Sequence, residues 1–361
     1  LYNNDSSPQN ETRPLPVSFE AVPYLVPPEE LPGFTGGEPS YRADQLRAWL
    51  YRTPVLDVEQ MTNLPASVRE RIGPNLFPFA VEAEQIADSG RTRKWLFRAG
   101  DGVAIEAVLM GYPERATLCV SSQAGCALAC TFCATGQFGF QRHLEAGEIV
   151  AQVAYARAFL RQVGMPNTPD RLTNLVFMGM GEPLANYRRV REALRRIIEI
   201  GGMSARAVTV STVGVVPGML ALADEPWPVN LAVSLHAADD ELRSRLVPLN
   251  RRYPLVEVER AAANYFAKKR RRVSIEWTMM AGVNDDLGQA DKLAQIAQRL
   301  RAHVNLIPLN PTPMSSETAS SPTAIRAFVD RLTSQGVKVT VRDTRGKDID
   351  AACGQLAASR L

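Results

Sequence analysis

From residue 117 onward the chain alternates short β-branched apolar runs with longer stretches of helical period, about six times over. The runs at 117–121, 172–178, 207–212, 229–236, 273–280 and 303–310 predict strands. The stretches at 146–163, 188–200, 218–224, 256–271, 289–300 and 324–334 place apolar residues every three or four positions and predict helices. Strands alternating with helices pair in parallel through right-handed crossovers. Six units fall short of the eight that close a barrel, so the pattern predicts an α/β fold, a partial (βα)6 TIM-like barrel open along one side. Its chemistry would sit at the carboxyl ends of the strands. A doubly wound open sheet has the same period and is the competing architecture.

Before the barrel, Leu46, Trp49, Leu50, Val55, Met61, Leu64, Val68 and Ile72 recur near helical spacing, with Pro54 and Pro65 as breaks. A small helical accessory domain is expected over 41–90, followed by a β-hairpin linker over 91–116 that turns near Gly100 and Gly102. Residues 1–40 hold eight of the 25 prolines and one Arg against six acids, which predicts a tail and linker with no core of its own. The barrel is expected over 117–345, and 346–361 form a carboxyl-terminal tail with a small-residue Ala-Ala-Cys-Gly stretch that can reach into an open barrel.

A chain of 361 residues with 45% hydrophobic and 22% charged positions can bury a core and is not disordered throughout. Its net charge of +3 conceals an asymmetry: residues 1–90 carry −7 and the remainder +10. A basic body makes a polyanion such as RNA, DNA or a nucleotide a partner to consider. Lys268, Lys269, Arg270, Arg271 and Arg272 form one basic run, and Arg188, Arg189, Arg191, Arg195 and Arg196 crowd another helix. Such runs are commonly solvated faces, but in this body they are candidate phosphate contacts. The accessory module is less basic, with five Arg against four acids over 41–72. No apolar stretch reaches eighteen residues and no signal-peptide pattern opens the sequence, so a cytoplasmic protein without membrane contact is expected, and Asn4 and Asn10 are chance glycosylation matches.

Five cysteines, at 119, 126, 130, 133 and 353, suit metal or redox chemistry better than a disulfide framework. GCALACTFCATGQFGF puts Cys126, Cys130 and Cys133 on one Gly-rich loop directly after the first barrel strand. Three thiolates at this spacing can hold three irons of a four-iron four-sulfur cluster and leave the fourth open. With only three His in the chain, none paired at finger spacing, zinc lacks its fourth ligand.

The Cys-x3-Cys-x2-Cys spacing, with Phe132 before the last cysteine, resembles the radical S-adenosylmethionine superfamily. In that family the open iron chelates the cofactor, which is cleaved to a 5′-deoxyadenosyl radical. Gly181 and Glu182 of Gly-Met-Gly-Glu-Pro resemble the element that receives the cofactor's ammonium group, where a carboxylate is physically sensible. TLCVSSQAGCALACTFCATGQFGF, FMGMGEPLANY, VTVSTVGVVPGM, LAVSLHA, LNPTP and DIDAACGQL together resemble the bacterial dual-specificity ribosomal and transfer RNA adenine-C2 methyltransferases of the RlmN type, over about residues 40–358. This resemblance implies that Ser211, Ser234, Leu235, His236 and Asn310 line the cofactor pocket. The sequence departs from the family at Val213, where a Ser is more usual, and no contact is expected from that side chain.

The resemblance also implies a mechanism. Cys353 takes a methyl group from one S-adenosylmethionine, a second provides the radical that removes a hydrogen from it, and the resulting carbon adds to adenine as a covalent protein–RNA adduct. Cys119 then resolves the adduct through a transient disulfide, and Glu106, thirteen residues before it, accepts the ring proton. On sequence alone Cys119, in a Leu-Cys-Val run, reads as a core residue and Glu106 as an ordinary hairpin acid. The implied substrates are 23S rRNA at the peptidyl-transferase centre and the tRNA anticodon loop, with the target base unstacked. A flavodoxin-like electron donor and a monomeric enzyme are implied as well. Two rivals stay open: the related resistance type that methylates carbon 8, and an iron–sulfur redox or RNA-binding protein without methyl transfer. The long amino-terminal region favours the carbon-2 type.

Overall fold

Four strands enter as an antiparallel meander: β1 (Phe79–Ala87), β2 (Thr92–Ala99), β3 (Ala104–Tyr112) and β4 (Arg115–Cys119). A separate hairpin of β5 (Gln123–Gly125) and β6 (Phe140–His143) follows. Then β7 (Asn174–Phe177), β8 (Val208–Thr212), β9 (Asn230–Ser234), β10 (Ser274–Met279), β11 (His303–Pro308) and β12 (Lys338–Val341) add one after another in parallel, beginning on β4. Helices α1 (Tyr41–Tyr51) and α2 (Ala66–Ile72) precede the sheet, and the four-residue α3 (Ala134–Gln137) sits inside the β5–β6 hairpin. The crossovers carry α4 (Ala146–Gln162), α5 (Tyr187–Arg195), α6 (Val216–Asp224), α7 (Asp240–Leu246), α8 (Leu255–Lys269), α9 (Leu287–Leu300) and α10 (Pro322–Ser334). This computed structural model describes residues 22–310, 312, 315–343 and 345–356. Residues 1–21 of the expected tail and 357–361 of the carboxyl-terminal one lie outside them.

Strand order decides between the two architectures. The ten-stranded sheet runs β1-β2-β3-β4-β7-β8-β9-β10-β11-β12, with every parallel strand beside its predecessor and no reversal. A doubly wound sheet reverses at a switch point. Right-handed crossovers that always advance in one direction put all helices on one face, which curls the sheet into an open barrel.

Side-chain parity shows why these segments take this form. Leu175, Phe177, Val208, Val210, Leu231, Val233, Ile275, Trp277, Val304 and Leu306 are buried in one apolar core with the helices. Their alternates, Asn174, Thr209, Ser211, Ser234, Ser274, Glu276, Thr278 and Asn305, face the barrel interior and line its cavities. One face of each strand buries apolar area and the other builds a polar chamber.

Four expectations change. Residues 22–35 belong to the core: Tyr24 and Leu31 are buried, Tyr24 Oη donates to Leu50 O (2.9 Å), and its ring stacks on Phe77 at 5.6 Å. Proline density misled, because Pro28–Thr35 is a 3-10 helix that tolerates prolines its backbone does not need as donors. The accessory region is not purely helical, since its last residues form β1. The hairpin is no linker either: β2 and β3 continue the barrel sheet, and Trp95, Phe97 and Phe79 pack with Tyr155 and Phe159 of α4. Finally, β12, a Lys-Val-Thr-Val segment too short to stand out by pattern, adds a seventh parallel strand.

Candidate active site

The cysteine loop is braced from three sides. Cys126 N–H donates to Gly139 O (2.8 Å), joining the ends of the β5–β6 hairpin. Gly125 has φ 73°, and a Cβ there would fall 1.9 Å from Gly139 O, so this close crossing requires glycine. Thr131 N–H donates to Leu246 O of α7 (3.1 Å), while Cys133 precedes α3 and its carbonyl accepts from Gln137 N (3.1 Å). Cys126, Cys130 and Cys133 then line one cavity of about 160 Å³ together with Gly181, Glu182, Ser211, Ser234 and His236. The expected ligand loop and most of the expected cofactor residues thus meet at the carboxyl ends of the strands.

The donor set fits a polynuclear cluster. Burial pushes the Cys126 thiol up to about 12 and Cys130 well above its ordinary range, so their ionised form needs positive charge that bound iron would bring. Among the described residues, no three His, Cys, Asp or Glu side chains gather closely enough to hold a single metal ion.

Glu182 is held with its carboxylate fixed. Oε1 accepts from Leu184 N–H and Oε2 from Val213 N–H, each at 2.9 Å. The second bond uses the backbone of position 213, so the missing hydroxyl of Val213 leaves it intact. Burial raises the Glu182 carboxyl to about 7, against these two bonds, which lower it. Gly181, at φ 95°, passes Gln123 so closely that a Cβ would meet its side chain at 2.4 Å. His236 Nδ1 accepts from Thr278 N–H (3.0 Å), which leaves the proton on Nε2, and burial pushes the imidazole down to about 3, so the ring is neutral. Its ring meets Phe132 edge-on at 4.6 Å. Asn284, fully buried, fixes this corner by donating to His236 O (2.8 Å) and Thr278 O (2.7 Å).

Two of the expected pocket residues lie elsewhere. Leu235 falls between the inward Ser234 and His236, so strand parity turns its side chain into the apolar core. Asn310 is on the wall of a second cavity and donates through Nδ2 to Cys353 O (3.2 Å).

That second cavity, of about 570 Å³, occupies the barrel interior between the strands and the carboxyl-terminal tail. Cys119 lines it, and burial holds its thiol well above the ordinary range. The tail is tied to the cysteine loop by Ala134 N–H to Gly354 O (2.7 Å) and Thr135 Oγ1 to Leu356 O (2.6 Å). These bonds put Cys353, a solvent-accessible thiol, on the walls of both cavities. Met178, Glu276 and Ile307 share that junction. Glu276 is buried, accepts from Asn305 Nδ2 (2.8 Å) and pairs with Arg342 (3.1 Å). Sequence reasoning passed over Glu276, although an acid inside the apolar Ile-Glu-Trp strand was a usable signal. Glu106 borders neither cavity; it is buried and paired with Lys94 at 3.2 Å, and Lys94 Nζ reaches Asp350 O of the tail at 3.5 Å.

The basic runs are largely used within the chain. Lys268 pairs with Asp224, Arg191 with Glu225, Arg189 with Glu145, and Arg195 and Arg196 with Glu192; Lys269 donates to Glu225 O. Arg196 is buried and also holds Tyr24 O (3.0 Å) and Val26 O (3.1 Å). Arg188, Arg270 and Arg272 are exposed. The second cavity carries its own cations, Arg115, Arg342 and Arg345, with the Arg115 and Arg345 guanidinium groups 4.0 and 4.9 Å from the Tyr112 ring centre.

Comparison with known proteins agrees with this geometry. The family model of the Radical SAM superfamily matches residues 120–294, and that of the ribosomal RNA large subunit methyltransferase N-terminal domain matches 33–76. The chain is 52% identical over 363 residues to a Rhodococcus erythropolis protein named "Probable dual-specificity RNA methyltransferase RlmN", covering 95% of this chain and 98% of that one. A Thermobifida fusca protein of the same name is 53% identical over 329 residues, covering 90% of each. Among solved structures, a radical SAM methyltransferase from Sphaerobacter thermophilus superposes with a TM-score of 0.87 at 47% identity, over 93% of this chain and 98% of that one.

Proposed function

The chain belongs to the RlmN family of radical S-adenosylmethionine RNA methyltransferases, and from that premise we propose that it methylates carbon 2 of adenine in 23S rRNA and tRNA with Cys353 as methyl carrier. Cys126, Cys130 and Cys133 would hold the four-iron four-sulfur cluster, and Gly181, Glu182, Ser211, Ser234 and His236 the S-adenosylmethionine, of which two are consumed per methylation. When bound, this pair supplies one-electron chemistry able to remove a hydrogen atom from a methyl group.

The remaining work falls to the chain. Carbon 2 of adenine is electron-poor and does not attack a sulfonium methyl, so the methyl group first rests on sulfur. The Cys353 thiolate takes it by displacement from S-adenosylmethionine; the cavity walls around this exposed residue partly desolvate the thiol and oppose its ionisation, and the Arg342 guanidinium favours it. After hydrogen-atom removal, the carbon radical on Cys353 bonds to carbon 2. The ring then gives up one electron, returned to the bound cluster, and its proton, with Glu106, held by Lys94 outside both cavities, as the final acceptor. Cys119 attacks the Cys353 sulfur, an S–S bond forms as the S–C bond breaks, and the released carbon takes up a proton to become the methyl group. The unstacked base would enter through the second cavity, its flanking phosphates met by Arg115 and Arg345. A flavodoxin-like reductant and a monomeric state complete the reading.

One observation carries it: Cys353 borders both cavities, one with the three-cysteine loop and Glu182, the other with Cys119. The test is anaerobic reaction of the iron-loaded protein with RNA fragments, followed by nucleoside mass spectrometry. We expect 2-methyladenosine from the natural chain, none from Cys353→Ala, and RNA left covalently attached to Cys119→Ala. A product of 8-methyladenosine, or an active Cys353→Ala, refutes the reading.

A further inference from the structure

Arg243, on α7, is the largest charged side chain sealed in the described interior, with 1% of its surface exposed. Its guanidinium donates only to neutral acceptors: Nε to Leu235 O (3.1 Å), Nη1 to Asn250 Oδ1 (2.7 Å), and Nη2 to Ser234 O (3.3 Å) and Val213 O. Asp240 attracts it from a distance but makes no ion pair with it: this exposed carboxylate accepts from Asn250 Nδ2 (3.0 Å) and Leu255 N–H (2.8 Å). Among the described residues no carboxylate forms an ion pair with it. Burial lowers Arg243 only to about 10, so the cation persists at neutral pH. An interior charge without a contacting counter-charge is costly, and hydrogen bonds to carbonyls orient it without neutralising it.

Its position says where the missing negative charge belongs. Two of its acceptor residues, Val213 and Ser234, line the cysteine cavity. Leu242 and Leu246, on the same helix, pack with Cys130 and Phe132, and Leu246 O accepts from Thr131 N–H in the cysteine loop (3.1 Å). The guanidinium therefore stands behind the wall that carries Cys130. We propose that Arg243 is the interior counter-ion of the iron–sulfur cluster, a fixed cation that favours the added electron and raises the cluster's reduction potential.

The physical basis is charge balance. Three thiolates make a bound cluster anionic, and one-electron reduction adds a further negative charge in a low-dielectric setting. A nearby cation stabilises the reduced form more than the oxidised form. This inference rests on the reading that Cys126, Cys130 and Cys133 hold the cluster, and goes beyond it by assigning control of its potential to a residue that ligates nothing.

The experiment is potentiometric titration of the anaerobically iron-loaded full chain, followed by the electron paramagnetic resonance signal of the reduced cluster, in the absence of RNA. Arg243→Met should lower the midpoint potential, so that at a fixed solution potential the reduced-to-oxidised ratio falls about tenfold, about 59 mV for a one-electron couple. Arg243→Lys, which keeps the charge and loses the fork, should stay near the natural potential. Iron content and circular dichroism establish that each variant is folded and loaded; if the Met variant is not, Arg243→Gln takes its place as the neutral arm. Equal potentials in the neutral and natural proteins overturn the proposal, as does a Lys variant displaced as far as the neutral one. A natural protein that binds no cluster overturns the ligand reading and this inference together, whereas a normal cluster signal with unchanged potentials overturns this inference alone.

Discussion

Thr135→Val tests whether the carboxyl-terminal tail is a docked part of the site. Valine keeps the shape of threonine and removes the hydroxyl that donates to Leu356 O at 2.6 Å. An unmet buried acceptor costs about 1–3 kcal/mol, and a loss of about 1.4 kcal/mol changes an equilibrium tenfold. The tail keeps its other ties, through Ala134 N–H to Gly354 O and Asn310 Nδ2 to Cys353 O, together with burial of Ala351, Ala352 and Leu356. The effect should therefore be local undocking rather than global unfolding. Hydrogen exchange resolved to single amides is the assay. Ala351 N–H, bonded to Gly346 O, and Gln355 N–H, bonded to Ala352 O, should exchange about tenfold faster in the variant, while amides of β8 and β10 keep their protection. Methyl loading onto Cys353 should slow only as far as the docked fraction of the tail falls. Unchanged exchange at both tail amides, or equal acceleration throughout the barrel, would refute the reasoning.

Further outcomes follow from individual contacts. Glu182, raised to about 7, must be ionised to receive an ammonium group, so cofactor affinity measured by calorimetry should be level above pH 7 and fall about tenfold per pH unit below it; Glu182→Gln should bind weakly and without that slope. The stability effect has the opposite sign: a carboxyl raised on folding helps most below its ordinary 4.5, and denaturant titration of the cluster-free chain should show that help lost as pH rises through about 7. Arg142 grips both oxygens of the buried Glu148 at 2.8 Å, so Arg142→Ala leaves a buried carboxylate unpaired and should cost about 3 kcal/mol in denaturant unfolding; a loss below about 1 kcal/mol contradicts this. Arg115→Ala should weaken RNA binding and reduce the slope of log affinity against log salt by about 0.7–1, whereas Lys268→Ala, already paired with Asp224, should leave the slope unchanged.

The barrel strands were legible because each must satisfy two surfaces, and the resulting β-branched runs between amphipathic helices are hard to mistake. Their curvature was not legible, since period two describes a strand in a flat or a curled sheet alike; only the unbroken order from β4 to β12 separates them. Proline counting misplaced residues 22–35, whose burial depends on Leu31 and Tyr24 meeting partners far along the chain, including Arg196. At the site, the three-cysteine loop was readable from spacing. The inward residue Asn305 was not, because a lone neutral polar residue within a strand looks the same facing water, a neighbour or a cavity. Charge runs misled for a related reason. A sequence shows how many cations a helix carries and not that Glu145 and Glu225, from other parts of the chain, stand opposite them.

The ties that hold the tail against the cysteine loop are mostly bonds between neutral groups: a backbone amide, a hydroxyl and a carboxamide, each meeting a carbonyl. The chamber on the other side of Cys353 presents charged groups instead, Arg115 together with the pairs Arg342–Glu276 and Arg345–Asp343. Ionic strength acts on these two attachments unequally, since screening weakens charged association and hardly touches short neutral bonds. The two halves of the catalytic cycle therefore answer to different solution conditions. Arming Cys353 with a methyl group should persist in salt that keeps RNA away, so that a charged enzyme can be accumulated and then discharged by dilution.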